Sequence, residues 1–251
     1  MRLRLAVTFS CIVPCLLLLL PAPSTSQNSF VCSRATYYGS PDCLGTPSGA
    51  CGYGEFGRTI NGGDVGAVGR LYRNGTGCGA CYQVRCTHAQ LCTEEGVHVV
   101  VTDHGEGDYT DFILSPRAFV NLAHQNMALD LLAYGVINVE YRRVSCQYPG
   151  QNLMFKIQEH SKFPNYLAII ILYQTGQMDI LTVELWEEDC QQWREMRRSY
   201  GAVWDIVNPP LGPLNLRFQA SGDGEVKWVQ VGNVIPSDWK AGVAYDSAIQ
   251  L

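Results

Sequence analysis

The chain has 251 residues, 47% of them hydrophobic and 16% charged, with 18 basic and 23 acidic side chains, a net charge of −5 and eleven cysteines. That acidic balance speaks against nucleic acid as a partner and against an anionic polymer such as de-esterified pectin, so a neutral ligand fits better. No GxGxxG, P-loop or HExxH pattern occurs, which leaves nucleotide binding and zinc hydrolysis without support, and neither a cofactor nor a metal is expected.

Arg2 and Arg4 precede an apolar run from Leu5 to Leu20, and Pro21 to Ser26 is rich in proline and small residues. This is the layout of a secretory signal peptide over 1–26, with cleavage near Ser26. Pro14 interrupts the run and no basic stop-transfer flank follows, which argues against a membrane span. The mature chain is therefore expected to be extracellular and free of membrane. Losing Arg2 and Arg4 takes the net charge from −5 to −7, and losing Cys11 and Cys15 leaves nine of the eleven cysteines. Cys78, Cys81, Cys86 and Cys92, in and after the GCGACYQVRC stretch of 77–86, have the spacing of a thiolate zinc cluster. An oxidising compartment favours disulfides instead. An odd count leaves one thiol over, and Cys190 stands alone in the last hundred or so residues.

From Ser40 to Tyr53 the glycines and prolines leave little room for regular structure. Asn74-Gly75-Thr76 is a glycosylation sequon in a polar turn. Val97, Val99 and Val101 alternate in a strand that ends at Asp103, and a glycine turn follows with Glu106, Asp108 and Asp111 in and after it. Ser115-Pro116 reads as an N-cap and first helical position, with a helix over about 116–124, and 136–144 reads as a strand. One short helix among short strands and glycine turns makes this half a β-barrel or sandwich. Residues 148–152, YPGQN, form a turn-rich linker between two domains, 27–147 and 148–251. Each is long enough, at roughly 100 to 120 residues, to bury its own core. In the second, 166–173 is almost continuously apolar, while 180–186, 214–218 and 226–231 read as further strands, which argues for an antiparallel sandwich.

Together ATYYG at 35–39, ACGYG at 50–54, GCGACYQVRC, the strand ending Thr102-Asp103, LSPRAF at 114–119 and YRRVSC at 141–146 resemble the first domain of the plant expansin superfamily. PNYLAI at 164–169, SYGAVW at 199–204 and VIPSDW at 234–239 are similar to its second domain. The resemblance implies an all-β chain: a six-stranded double-psi β-barrel related to family-45 glycoside hydrolases, followed by an immunoglobulin-like carbohydrate-binding β-sandwich. It implies the disulfides Cys51–Cys78, Cys81–Cys146 and Cys86–Cys92. Cys32 and Cys43 lie outside that set and are expected to pair with each other. It also implies a groove floored by Thr102 and Asp103 with the aromatics Tyr37 and Tyr38, and an exposed platform of Tyr166 and Tyr200 on the second domain. Trp186 and Trp204 read as packing residues. Expected partners are cellulose, xyloglucan or a related neutral glucan in the cell wall, bound by a monomer.

One departure from the family's pattern bears on chemistry. Typical members carry His-Phe-Asp before the residues matching Leu114 and Ser115, the aspartate matching the catalytic acid of the hydrolases. This chain reads Asp111-Phe112-Ile113, as the expansin-like B group does. Glycoside hydrolysis normally needs two carboxyl groups flanking the bond. Asp103 can be one, Asp111 stands where the histidine would be and is expected with Asp103 among the polysaccharide-binding residues, and Ile113 can donate nothing. The expectation is a non-enzymatic wall protein that binds and loosens polysaccharide contacts. The alternatives are a hydrolase with a displaced acid and a secreted interaction or defence protein on the same scaffold.

Overall fold

The computed structural model describes residues 29–107, 109–222 and 224–250. The signal-peptide reading of 1–26 and the acidic alternative Asp108 lie outside the described residues. The first half forms β1 (Val31–Tyr37), β2 (Val65–Val68), β3 (Cys81–Cys86), β4 (Val97–His104), β5 (Phe112–Leu114) and β6 (Ile137–Val144). They close into a barrel in the order β1-β5-β2-β4-β3-β6. The β1–β5 and β2–β4 pairs are parallel and the other four antiparallel, as the double-psi expectation requires.

Ser115 caps the expected helix, its Oγ accepting from Ala118 N at 3.1 Å, but the helix stops at Val120. Beyond it Thr93 N donates to Leu122 O and His124 N to Leu91 O, so the chain is drawn onto the disulfide-closed 86–92 loop and cannot keep turning. Two helices were not expected, Glu55–Thr59 and Ala128–Tyr134. The first is a five-residue turn containing Gly57. In the second only Leu131 is buried, so no apolar stripe advertises it.

The second half continues with β7 (Met154–Ile157), β8 (Tyr166–Leu172), β9 (Asp179–Glu187), β10 (Gln192–Glu195), β11 (Arg197–Tyr200), β12 (Val203–Val207), β13 (Leu214–Gly222), β14 (Glu225–Ile235) and β15 (Ala244–Asp246). A four-stranded sheet, β10-β9-β13-β14, packs on a five-stranded one, β11-β12-β8-β7-β15. Leu167, Ile169 and Ile171 of β8 enter the sandwich core. Ala168, Ile170 and Leu172 belong to the barrel's cluster with Cys51, Tyr53 and Ala80. Cover on both faces is the reason 166–173 reads as a continuous apolar run.

The junction is tight. Gly75 has φ +91, and a Cβ there would sit 2.3 Å from the Gly201 carbonyl oxygen. Asp179 takes Arg73 and Arg143, each at 2.7 Å.

Three disulfides form, Cys51–Cys78, Cys81–Cys146 and Cys86–Cys92, the pairs implied by the resemblance. Cys78 and Cys81 therefore go to separate partners, which a shared zinc ion would not allow. The expected Cys32–Cys43 bridge is corrected: both thiols are free and exposed, as is Cys190. Cys32 lies at the start of β1, opposite Glu140, and Cys43 lies past its far end, where its carbonyl accepts from Arg117 N. The five residue-to-residue steps from Cys32 to Tyr37 alone extend about 16 Å, far beyond the ~7 Å limit between bridged Cα atoms.

Candidate functional site

Register across four adjacent strands sets the floor of the barrel site. Thr36 of β1 pairs with Ile113 of β5, Ile113 with Ala67 of β2, and Ala67 with Asp103 of β4. Phe112 and Leu114 are fully buried in the barrel, so alternation turns Ile113 to the outer side. Its Cδ1 lies 2.9 Å from where a Cβ on Gly105 would stand, filling the space beside the row. Positions 113 and 103 are two strand spacings apart, roughly 10 Å. Carboxyl groups in inverting glycosidases stand ~6.5–9.5 Å apart, so a carboxyl at 113 would face Asp103 across a comparable gap. Isoleucine presents a hydrocarbon there.

Asp103 is half-buried. Its Oδ1 accepts from the amides of Ala50 at 2.6 Å and His104 at 2.7 Å, which fastens the Gly49–Gly52 loop over the strand end. Tyr38 lies beside it. Burial first, then the charges of Asp103 and Asp42, push the Tyr38 phenol well above its ordinary value, so it remains a neutral hydroxyl. Tyr37 turns the other way: its ring packs 4.7 Å from Phe119 and its hydroxyl donates to Leu132 O. Thr102 is only 3% exposed and stands against Gly57. The structure thus brings Asp103 and Tyr38 together over the buried Thr102 and turns the half-buried Tyr37 away toward Phe119 and Leu132. Beside them His104 stacks on Tyr72 with ring centres 4.5 Å apart, and the Tyr72 hydroxyl donates to Ala50 O at 3.3 Å. Sequence reasoning missed this pair. The only signal was His104 directly after Asp103.

Asp111 is held in place. Arg70 Nε and Nη2 donate to its two oxygens at 2.8 and 2.9 Å, and Ser33 Oγ donates at 2.6 Å. Burial alone would raise this carboxyl, but the Arg70 and Ser33 hydrogen bonds outweigh it and hold it below the ordinary aspartate range. It borders an open groove of about 690 Å³ together with Cys32, Arg70 and Tyr109.

On the second domain Val203 and Val207, four apart on β12, share a face and pair with Tyr200 and Tyr166 respectively. The two tyrosines therefore share that face of the five-stranded sheet. Tyr166 donates to Asp205 Oδ2 at 2.9 Å, and Arg197 grips Asp205 through two bonds. Those contacts fix the Tyr166 ring. Burial, then the bond to Asp205, raises the Tyr166 phenol. Tyr200 is 46% exposed and lies against Gly52, whose Cβ would meet its Cε2 at 2.9 Å. Ala202 N donates to Cys51 O and Gln158 Nε2 to Gly52 O. The 49–52 loop thus ties Asp103 on the barrel to Tyr200 on the sandwich, and the two sets of residues form one surface across the junction. Trp204, expected to pack, is 3% exposed. Trp186 is half-buried and faces away from this surface.

A sequence profile described as the Expansin C-terminal domain matches residues 153–236, and one described as Lytic transglycolase, a double-psi barrel family, matches 65–141. Expansin-like B1 of Arabidopsis thaliana is 57% identical over 236 residues, 94% of each chain. Expansin-like B1 of Oryza sativa subsp. japonica is 48% identical over 239 residues, 94% of this chain and 93% of the relative. An expansin from Clavibacter michiganensis shares the fold at 20% identity: a mutant of it solved in complex with cellohexaose superposes with a TM-score of 0.66, covering 88% of this chain and 98% of the other.

Proposed function

The chain belongs to the expansin superfamily, in its expansin-like B group, and on that premise we propose that it is a secreted plant cell-wall protein that binds a neutral glucan such as cellulose or xyloglucan without hydrolysing it. The observation that carries the reading is the row Thr36–Ile113–Ala67–Asp103. It has one carboxylate where cleavage would need two, and the facing position in the row holds the hydrocarbon of Ile113. Asp111 does not substitute, because Arg70 and Ser33 stabilise its ionised form and a general acid must start protonated.

The surface instead offers hydroxyls and flat rings. A pyranose lays its C–H face on an aromatic ring while hydrogen-bonding groups meet its hydroxyls. Tyr166 and Tyr200 serve as the platform, Tyr38 and Asp103 bind hydroxyls on the barrel, and Thr102 holds the floor beneath them. A chain lying across the 49–52 loop touches both domains and is displaced from its neighbours, which is how binding alone loosens wall contacts. Asn74, exposed in its turn, carries the glycan, and the protein acts as a monomer.

The test combines two assays of the purified protein. Extension of heat-inactivated cell walls under constant load is expected to increase on addition. Soluble β-glucan and amorphous cellulose are expected to yield no new reducing ends above a denatured control. Reducing-end release that disappears in Asp103→Asn with Asp111→Asn makes the protein a hydrolase with a displaced acid. Absence of both wall extension and glucan retention leaves the interaction-protein reading instead.

A further inference from the structure

The outer face of the four-stranded sheet, turned away from the barrel, carries a strip of aromatics that core packing does not require. Val183, Leu185, Leu216, Phe218 and Val231 already fill the inward positions of β9, β13 and β14. On the outer side Trp193 of β10 pairs with Trp186 of β9, their rings 5.3 Å apart and inclined at 61°. The Arg217 guanidinium of β13 lies 4.4 Å from the ring centres of both Trp193 and Trp228 of β14, so those centres are at most twice that distance apart. Trp228 is 46% exposed. The backbones of the two edge strands stand about 14 Å apart, three strand spacings, and the Trp193 and Trp228 rings lean inward over Arg217 into a compact cluster. Trp186 and Trp193 are half-buried beside the exposed Trp228, and an aromatic cluster standing on the solvent face of a sheet marks a candidate binding surface.

Its charge and shape select the occupant. Glu184 Oε2 accepts from Arg217 Nε, so the one cation between the rings is neutralised and the strip has no net attraction for an anion. Gln219, directly opposite Trp228 on the sheet, places an amide beside the ring. Glu188, which accepts from Trp186 Nε1, and Glu195, directly opposite Glu184, add negative charge on the same face, so an anionic polymer is repelled, while aromatic rings beside a hydrogen-bonding amide suit an extended, uncharged pyranose chain. We propose that this strip is a second glucan-binding surface, back to back with the Tyr166–Tyr200 platform, so that one molecule bridges two polysaccharide chains. The proposal rests on the reading that the protein binds neutral glucan, and adds a second site to it.

Calorimetric titration with cellohexaose, together with the turbidity of long soluble xyloglucan, tests it on the full-length secreted protein. Two sites are expected in the wild type, one in Trp193→Ala with Trp228→Ala, one in Tyr166→Ala with Tyr200→Ala, and none when the four changes are combined. Turbidity should rise with wild type and fail in either double variant. Trp193→Tyr with Trp228→Tyr, which keeps flat rings, should retain the second site within about tenfold in affinity. Trp228→Ala alone, on an edge strand, guards against misfolding of the pair and should weaken the second site. A single wild-type site that the tyrosine changes remove, or two sites untouched by the tryptophan changes, overturns the proposal. Loss of sites in the tryptophan variants alone would keep the strip and overturn the tyrosine platform. No binding by a folded wild type would overturn both.

Discussion

Arg70 meets Asp111 as a planar fork, Nε to Oδ1 at 2.8 Å and Nη2 to Oδ2 at 2.9 Å. The same Nη2 reaches the hydroxyl of the buried Tyr141 at 3.0 Å, so one guanidinium joins the residue before β5 to a core side chain of β6. This carboxylate is part of the barrel's frame. The pair also limits what Asp111 can do, because a proton there would break the fork.

Acid should undo this contact. A carboxyl whose folded pKa lies below the ordinary 3.8 contributes stability that is fully present above 3.8 and is lost as pH falls through the lower folded value. Asp179 and Asp205 are also depressed and add to the same acid limb. Thermal melts of wild type and Asp111→Asn are expected to differ at neutral pH, with the wild type higher, and to converge as the pH falls below 3.8 and through the depressed folded value. A difference that does not shrink at all as acid is added below 3.8 would remove the ion pair as its cause.

Replacing Tyr166 and Tyr200 together by alanine deletes two stacking surfaces worth about 1 kcal/mol each, so retention on cellulose should fall about tenfold or more. The melting temperature should change more for Tyr166→Ala, because it also strips a donor from Asp205, than for Tyr200→Ala. Pull-down on microcrystalline cellulose reads the first effect and calorimetry the second.

The thiols give a direct count. Alkylation of the unreduced, denatured protein followed by mass mapping should label Cys32, Cys43 and Cys190 and find the three bridges Cys51–Cys78, Cys81–Cys146 and Cys86–Cys92. A linked Cys32–Cys43 peptide would contradict the placement of these two residues at opposite ends of β1.

At the junction, Asp179→Asn leaves Arg73 and Arg143 without their shared carboxylate, at a cost of about 2 kcal/mol for charge-assisted hydrogen bonds. Gly75→Ala should cost more, because it adds a methyl 2.3 Å from a backbone oxygen at a φ of +91. Both variants should melt below wild type, and limited proteolysis should open the 148–152 linker in Gly75→Ala first.

Much of the architecture was legible before the chain was folded, because it is written in local patterns. Alternating valines at 97–101, the unbroken apolar run at 166–173, Ser115 before Pro116 and the turn residues at 148–152 each carry their instruction within a few positions. The departure at Ile113 was equally local: an isoleucine has no proton to give in any fold. What local pattern could not decide was pairing across the chain. Strand direction and register alone put Ile113 in line with Asp103 and separate Cys32 from Cys43. Tyr37 and Tyr38 look alike as neighbours in the sequence, yet one packs on Phe119 and the other sits beside Asp103. Trp186 and Trp204 both read as packing, yet Trp204 is buried and Trp186 lies on the outer strip. Such outcomes depend on which face of a sheet another element covers, and that is settled only when residues a hundred or more positions apart, Gly75 and Gly201 among them, close against each other.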